Sequence, residues 1–170
     1  ITKRFENSLL TFEARVFEFF KENYILILCS GFIAIAAYGY ELFNFSMSID
    51  EEIKHFQHSG YGWVQQGRWS TYLLVSIFMP ESIIPFFPTL ISLVFLAASG
   101  IMFVIVIDGD KWAKFIFLSM YITFPSNAFF IEFNTFNFAV SIGFFMAFAG
   151  FALYIRFIDQ AQIRFAVAAI

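Results

Sequence analysis

Between Thr89 and Ile107 the chain runs without a single charged side chain, and no other feature narrows its possible folds as much. At about 1.5 Å per residue, a helix of ~20 residues covers the ~30 Å hydrocarbon layer of a bilayer. Composition agrees: 60% of residues are hydrophobic and only 14% charged, against about 25% charged in soluble domains. The chain therefore reads as a membrane protein. Phenylalanine is the conspicuous residue, at 28 of 170. It suits lipid-facing surfaces and the stacking walls of an apolar groove, and does not separate the two. The net charge of −3 argues against nucleic acid as a partner, because phosphate binding needs a basic face. Cys29 is the single cysteine, which excludes an internal disulfide and leaves it the role of a small buried hydrophobe.

The spacing predicts an all-α polytopic bundle with about four crossings, in one membrane domain covering residues 1–170. Residues 1–23 alternate charge with bulky apolar side chains and predict an amphipathic juxtamembrane helix in the interface. This charged run does not read as a cleavable signal peptide. The first crossing is expected over Tyr24 to Phe43, with Tyr38 and Tyr40 where an aromatic belt would fall. A polar connector over residues 44–88 follows. Within it, Trp69 to Met79 is apolar but too short to span, and Pro80, Pro85 and Pro88 break any continuation. The second crossing is Thr89 to Ile107. A third runs from Phe115 to Ile131, interrupted at Pro125, Ser126 and Asn127. The fourth runs from about Phe136 to Ile155. Because the chain starts at Ile1 and stops in the fresh apolar run F-A-V-A-A-I, it is expected to be the N-terminal part of a longer protein.

Basic residues fix the expected orientation. With the N-terminus inside, the inner loops hold Lys3, Arg4, Arg15, Lys21, Lys111, Lys114, Arg156 and Arg164, and the outer ones only Lys54 and Arg68. A fifth crossing at Trp69 to Pro88 would move Lys111, Lys114, Arg156 and Arg164 outside and break the positive-inside rule. The short helix is thus expected to be interfacial or re-entrant, and the polar connector to face the periplasm or cell exterior.

That connector gathers the reactive groups: Asp50, Glu51, Glu52, Lys54, His55, His58, Trp63, Arg68 and Trp69. On a helix, Ile49, Ile53 and Phe56 share a stripe, while Glu51, Lys54, His55 and His58 cluster opposite. Carboxylates at the water–lipid boundary can meet a reagent whose tail is in the bilayer and whose head is in water. A purely structural reading stands beside this one. Ser48-Ile49-Asp50-Glu51 fits the capping box, and acids in a first turn offset the helix dipole. Three acids exceed what one cap needs, so both readings stay open.

Asp50-Glu51, Lys54, Gly60, Gly62-Trp63, Gly67-Arg68 and Leu73-Leu74, directly after a first crossing, resemble the type II O-antigen glucosyltransferases of bacteria. These are membrane enzymes that decorate lipopolysaccharide, and the placement of the connector is similar to the wider GT-C class. The resemblance implies a polyprenyl-phosphate-linked glucose donor, an O-antigen acceptor and transfer with inversion at the outer face of the inner membrane. It implies a carboxylate base, with Asp50 first and Glu51 second, taking the proton of a sugar hydroxyl. Arg68 would pair the phosphate oxygens of the leaving group. Trp63 or Trp69 would stack on a sugar or anchor at the interface. Glu52, Lys54 and His58 are further substrate-binding candidates on the connector, and Glu41 and Glu132, acids at the membrane boundary, would line the same groove.

Weaker candidates remain. His55 and His58 with Glu51 or Glu52 could form a metal site at helical spacing, but three ligands on one exposed turn make a loose one, and no cofactor is expected. Asp108-Gly109-Asp110 reads as a tight turn, since it lacks the other ligands of a metal loop. Against the enzyme stands a transporter or channel module, with Glu41, Asn127, Glu132 and Asn137 along a polar path. A GT-C transferase of another sugar and a structural subunit are the further alternatives. The enzyme is favoured because the polar groups gather outside the bilayer and no inverted repeat relates residues 24–79 to 89–155.

Overall fold

The computed structural model describes residue 14 and residues 17–44, 61–78, 86–106, 109–133 and 136–159. All regular structure among them is helical: α1 (Tyr24–Phe43), α2 (Tyr61–Gln65), α3 (Trp69–Phe78), α4 (Phe87–Val106), α5 (Lys111–Ile122), α6 (Pro125–Ile131) and α7 (Asn137–Asp159). Three of these, α1, α4 and α7, are long and apolar enough to cross a membrane. Helices α5 and α6 pass the same test only as a pair, bent by 45° at a short break, which is the geometry of a broken span or of a re-entrant loop. The expected all-α bundle is the observed one, with four crossings when the bent pair counts as one span, broken where Pro125 predicts it. Helix α3 has ten residues, too few to cross, as expected.

Helix α1 turns mostly small or polar residues inward, whereas α4 mixes them with Leu93, Leu96, Ile101 and Val104. In α1 the buried residues are Ser30, Ala34, Tyr38 and Leu42, one stripe at four-residue spacing. Tyr24, Ile25, Leu28, Phe32 and Ile35 are exposed on the other faces. Small inward residues let backbones approach, the usual solution where lipid tails supply no hydrophobic drive between helices. Helix α4 is the centre of the bundle. It runs along α7 and also touches α1 and α5. Phe103 on α4 stacks on Phe117 of α5 at 4.9 Å and meets the edge of Phe148 of α7 at 5.1 Å. Part of the phenylalanine excess is therefore mortar between helices.

Among the described glycines, Gly100 has the most crowded surroundings. A Cβ there would lie 2.6 Å from Leu118 Cδ1 and 2.9 Å from Tyr121 Cδ1. Leu118 is 1% exposed, and the Tyr121 hydroxyl shares a 2.8 Å hydrogen bond with Ser99, so neither can withdraw freely. Alanine gains about 1 kcal/mol in helix propensity, which offsets part of an overpacking cost of about 1–3 kcal/mol. Valine adds two methyl groups and loses most of that gain. Gly100→Val is thus expected to destabilise the detergent-solubilised protein by about 2 kcal/mol or more, read from thermal unfolding; unchanged stability would contradict the tight α4–α5 crossing.

The broken crossing shows how a polar defect is tolerated in an apolar bundle. Pro125 has no N–H to give Tyr121, and its ring cannot continue the helix. The carbonyls so released need partners, because no water reaches a bilayer core. Asn127 supplies them: its Nδ2 donates to Tyr121 O at 2.8 Å and to Ile122 O at 3.1 Å. The Tyr38 hydroxyl of α1 also donates to Ile122 O, at 2.8 Å. This corrects the expectation for Tyr38, which is 6% exposed and faces the bundle, whereas Tyr40 is 74% exposed.

At the opposite end, Asp110 caps α5, its carboxylate accepting from Ala113 N at 2.8 Å. The turn reading of that segment holds for Asp110; Asp108 lies outside the described residues. Residues 17–22 are helical and end at Asn23. Phe19 there is buried and lies under the Lys114 ammonium, 5.7 Å from its ring centre. The pre-span segment and the start of α5 therefore share one end of the bundle. The rest of the amphipathic stretch expected over residues 1–23 lies outside the described residues.

Candidate functional site

The end of the bundle away from Phe19 and Lys114 carries α2, α3 and the α6–α7 connector. Its centre is the G-W-x-x-x-G-R run, whose local physics can be read bond by bond. Gly67 adopts φ +76°, a left-handed conformation that glycine takes without steric cost. The Gly67 N–H donates to Val64 O at 3.0 Å and the Arg68 N–H to Trp63 O at 2.7 Å. That bond pair is a Schellman turn, with glycine at the first residue beyond the helix. A hydrophobic contact usually joins the two ends of such a turn. Here the Arg68 guanidinium does so, with Cζ 5.6 Å from the centre of the Trp63 ring. The Arg68 carbonyl then accepts from Tyr72 N at 3.1 Å and starts α3.

Trp63 is held by a second contact as well. It is 8% exposed, and Phe136 of the α6–α7 connector meets it edge to face at 5.7 Å and 69°. Phe133 stacks on Phe136 at 5.2 Å. The two polar connectors at this end thus share a run of contacts from Arg68 through Trp63 and Phe136 to Phe133. Trp63 is thus buried within the rim. Of the two tryptophans at this end, Trp69, 66% exposed, is the one that faces outward.

The connector is seated on the crossings by Asn137, which is fully buried. Its Nδ2 donates to Thr89 Oγ1 of α4 at 3.2 Å and to Ile131 O, at the end of α6, at 3.1 Å. Its Oδ1 accepts from Phe138 N at 2.6 Å. Ser92 of α4 adds a 2.7 Å bond to Ser141 of α7. Helix α3 leans on the same place, Phe78 meeting Phe138 at 6.2 Å, with Leu74 and Val75 against Phe138 and Ala139. Phe43, at the end of α1, reaches Phe86 at the start of α4 at 6.2 Å, so α1 ends at this rim too.

Of the expected site residues, Arg68, Trp69 and Glu132 are exposed at this end, with Trp63 buried beneath Arg68. Asp50, Glu51, Glu52, Lys54, His55 and His58 lie outside the described residues, on the connector between Asn44 and Tyr61. Glu41 is half-buried in the last turn of α1. Asn127 and Asn137 direct their amides to backbone carbonyls at helix ends, which removes both from a polar path through the bilayer. Among the described residues no three His, Cys, Asp or Glu side chains form a metal-holding group. The residues that sequence reasoning missed are Phe133 and Phe136, hidden among many phenylalanines with no spacing to mark them.

A bundle of three helices long and apolar enough to cross a bilayer and one bent pair, with a polar rim built from two connectors at one end, fits a polytopic membrane protein. The family profile described as Glucosyl transferase GtrII matches residues 39–170, from the last turn of α1 onward. The chain belongs to that family, as the G-W-x-x-x-G-R resemblance implies. Its class of chemistry is glucosyl transfer, which needs a sugar donor and an acceptor. No curated protein and no solved structure matches the chain.

Proposed function

We propose that this protein transfers glucose from a polyprenyl-phosphate-linked donor to a sugar hydroxyl of O-antigen lipopolysaccharide, at the periplasmic face of a bacterial inner membrane. The observation that carries the reading is the family match, whose span takes in the acidic connector and the Trp63–Arg68 corner together. The connector bearing Asp50 and Glu51 departs from Asn44 and returns at Tyr61, and both flanks belong to the rim that Arg68 occupies. Lys21, Lys111 and Lys114 lie toward the opposite end, which supports a cytoplasmic N-terminus by the positive-inside rule.

In this mechanism Asp50, with Glu51 second, takes the proton of the acceptor hydroxyl as it attacks the anomeric carbon. The bond from that carbon to the phosphate oxygen breaks, and the lipid phosphate leaves without needing a proton. Attack from the face opposite the leaving group inverts the centre. Arg68 pairs the phosphate oxygens in the bidentate geometry of its guanidinium. Trp69, the exposed ring, is placed to stack on a sugar. Glu52, Lys54, His58 and Glu132 supply hydrogen bonds to sugar hydroxyls.

Membranes containing the full-length protein are expected to move labelled glucose from polyprenyl-phosphate glucose onto lipopolysaccharide, and not from a nucleotide-linked glucose. Labelling that depends on the nucleotide sugar and bypasses the lipid-linked one would overturn this reading.

A further inference from the structure

Among the described residues Arg68 is the only basic side chain at the rim, and its long stem would ordinarily leave the guanidinium free to wander. Two features restrict it. The Schellman turn at Gly67 folds the chain back so that Arg68 and Trp63 face one another, and the indole ring offers its electron-rich face 5.6 Å from Cζ. The indole cannot move freely, because it is 8% exposed and packs edge to face with Phe136 at 5.7 Å. Phe136 directly precedes Asn137, which is bonded to α4 and to the end of α6.

We infer that Trp63 is a positioning residue that holds the Arg68 guanidinium toward the outer face for an anionic phosphate, with Phe136 as its backing. The inference rests on the proposed pairing of Arg68 with the donor phosphate and adds a second connector to that pairing. Trp63 itself touches no substrate. A guanidinium fixed before the donor arrives loses less rotamer freedom on binding, so the gain falls on donor affinity and leaves the chemical step unchanged. The α6–α7 connector thus takes part in donor binding although none of its own residues is required to touch phosphate.

The test is donor kinetics on the full-length protein in membranes, with polyprenyl-phosphate glucose varied and protein amount matched by immunoblot. Arg68→Ala is expected to raise the donor KM, and Trp63→Leu to raise it roughly two- to fivefold, the scale of an exposed cation–π contact, with kcat held. Trp63→Phe keeps a ring face and is expected to recover most of the loss. In the Arg68→Ala background Trp63→Leu is expected to add nothing further. An equal rise of KM in both backgrounds, or a fall in kcat with KM unchanged, would overturn the positioning role. An unchanged KM in Arg68→Ala would remove Arg68 from the donor and this inference with it, while leaving glucosyl transfer itself standing. Should Trp63→Leu fail to accumulate, Phe136→Leu, which loosens the backing but spares the Arg68 contact, carries the same comparison with the same criteria.

Discussion

Asp50→Asn is expected to leave the protein inserted and folded while cutting glucosyl transfer by about 10²–10⁴-fold, the usual contribution of a general base. The substitution keeps the shape of the side chain and removes only its capacity to take a proton. A sugar hydroxyl does not ionise at neutral pH, so its attack on the anomeric carbon needs that acceptance as the bond forms. Glu51→Gln is the informative companion. Glutamine serves the third position of a capping box as well as glutamate does, so a purely structural Glu51 tolerates it. A Glu51 that shares the proton chemistry does not. Initial rates with labelled lipid-linked glucose, at matched protein content, separate these cases. Wild-type rates in both variants would exclude a base at either position.

The second large effect is expected at Asn137. Leucine there has nearly the same volume but leaves the Ile131 carbonyl and the Phe138 N–H without the partner they now share. Hydrogen bonds between membrane helices average only about 0.6 kcal/mol when both partners are removed together. Leaving buried groups unpaired is worse, at about 1–3 kcal/mol for each group. The second figure governs here, because the partners remain. Asn137→Leu is therefore expected to cost about 3 kcal/mol or more, seen as a lower unfolding midpoint in detergent and poor accumulation in membranes. Ser141→Ala, which removes one hydroxyl from the Ser92 pair, is the mild control. If Asn137→Leu matched the wild-type midpoint, the seating of the α6–α7 connector on α4 would need another explanation.

The crossings were legible because each is an apolar run of bilayer length, and a helix is the only way to satisfy such a backbone in lipid. The break at Pro125 was legible for the same reason. Which face turns inward was not. Tyr38 and Tyr40 are two residues apart and equally suited to an interface, yet one lies in the core and the other outside. Hydropathy does not rank them, since lipid and bundle interior are alike in polarity. Trp63 and Trp69 repeat the case. Each could anchor or stack, and only the Phe136 contact decides that Trp63 is buried. The glycine of the G-W-x-x-x-G-R run carried a legible signal, a helix stop one residue before an arginine, but a five-residue helix has too little periodicity to be noticed. Asn127 and Asn137 were visible as polar residues near helix breaks. Their assignment to end carbonyls instead of a solute path needed the geometry.

The Tyr38 hydroxyl and the Ile122 carbonyl it satisfies are separated by 84 residues. During synthesis the first crossing therefore leaves the ribosome well before its acceptor exists. The kinked third crossing cannot complete its polar accounts until that earlier segment is beside it. The two segments therefore meet only after the connector and α4 between them have been made.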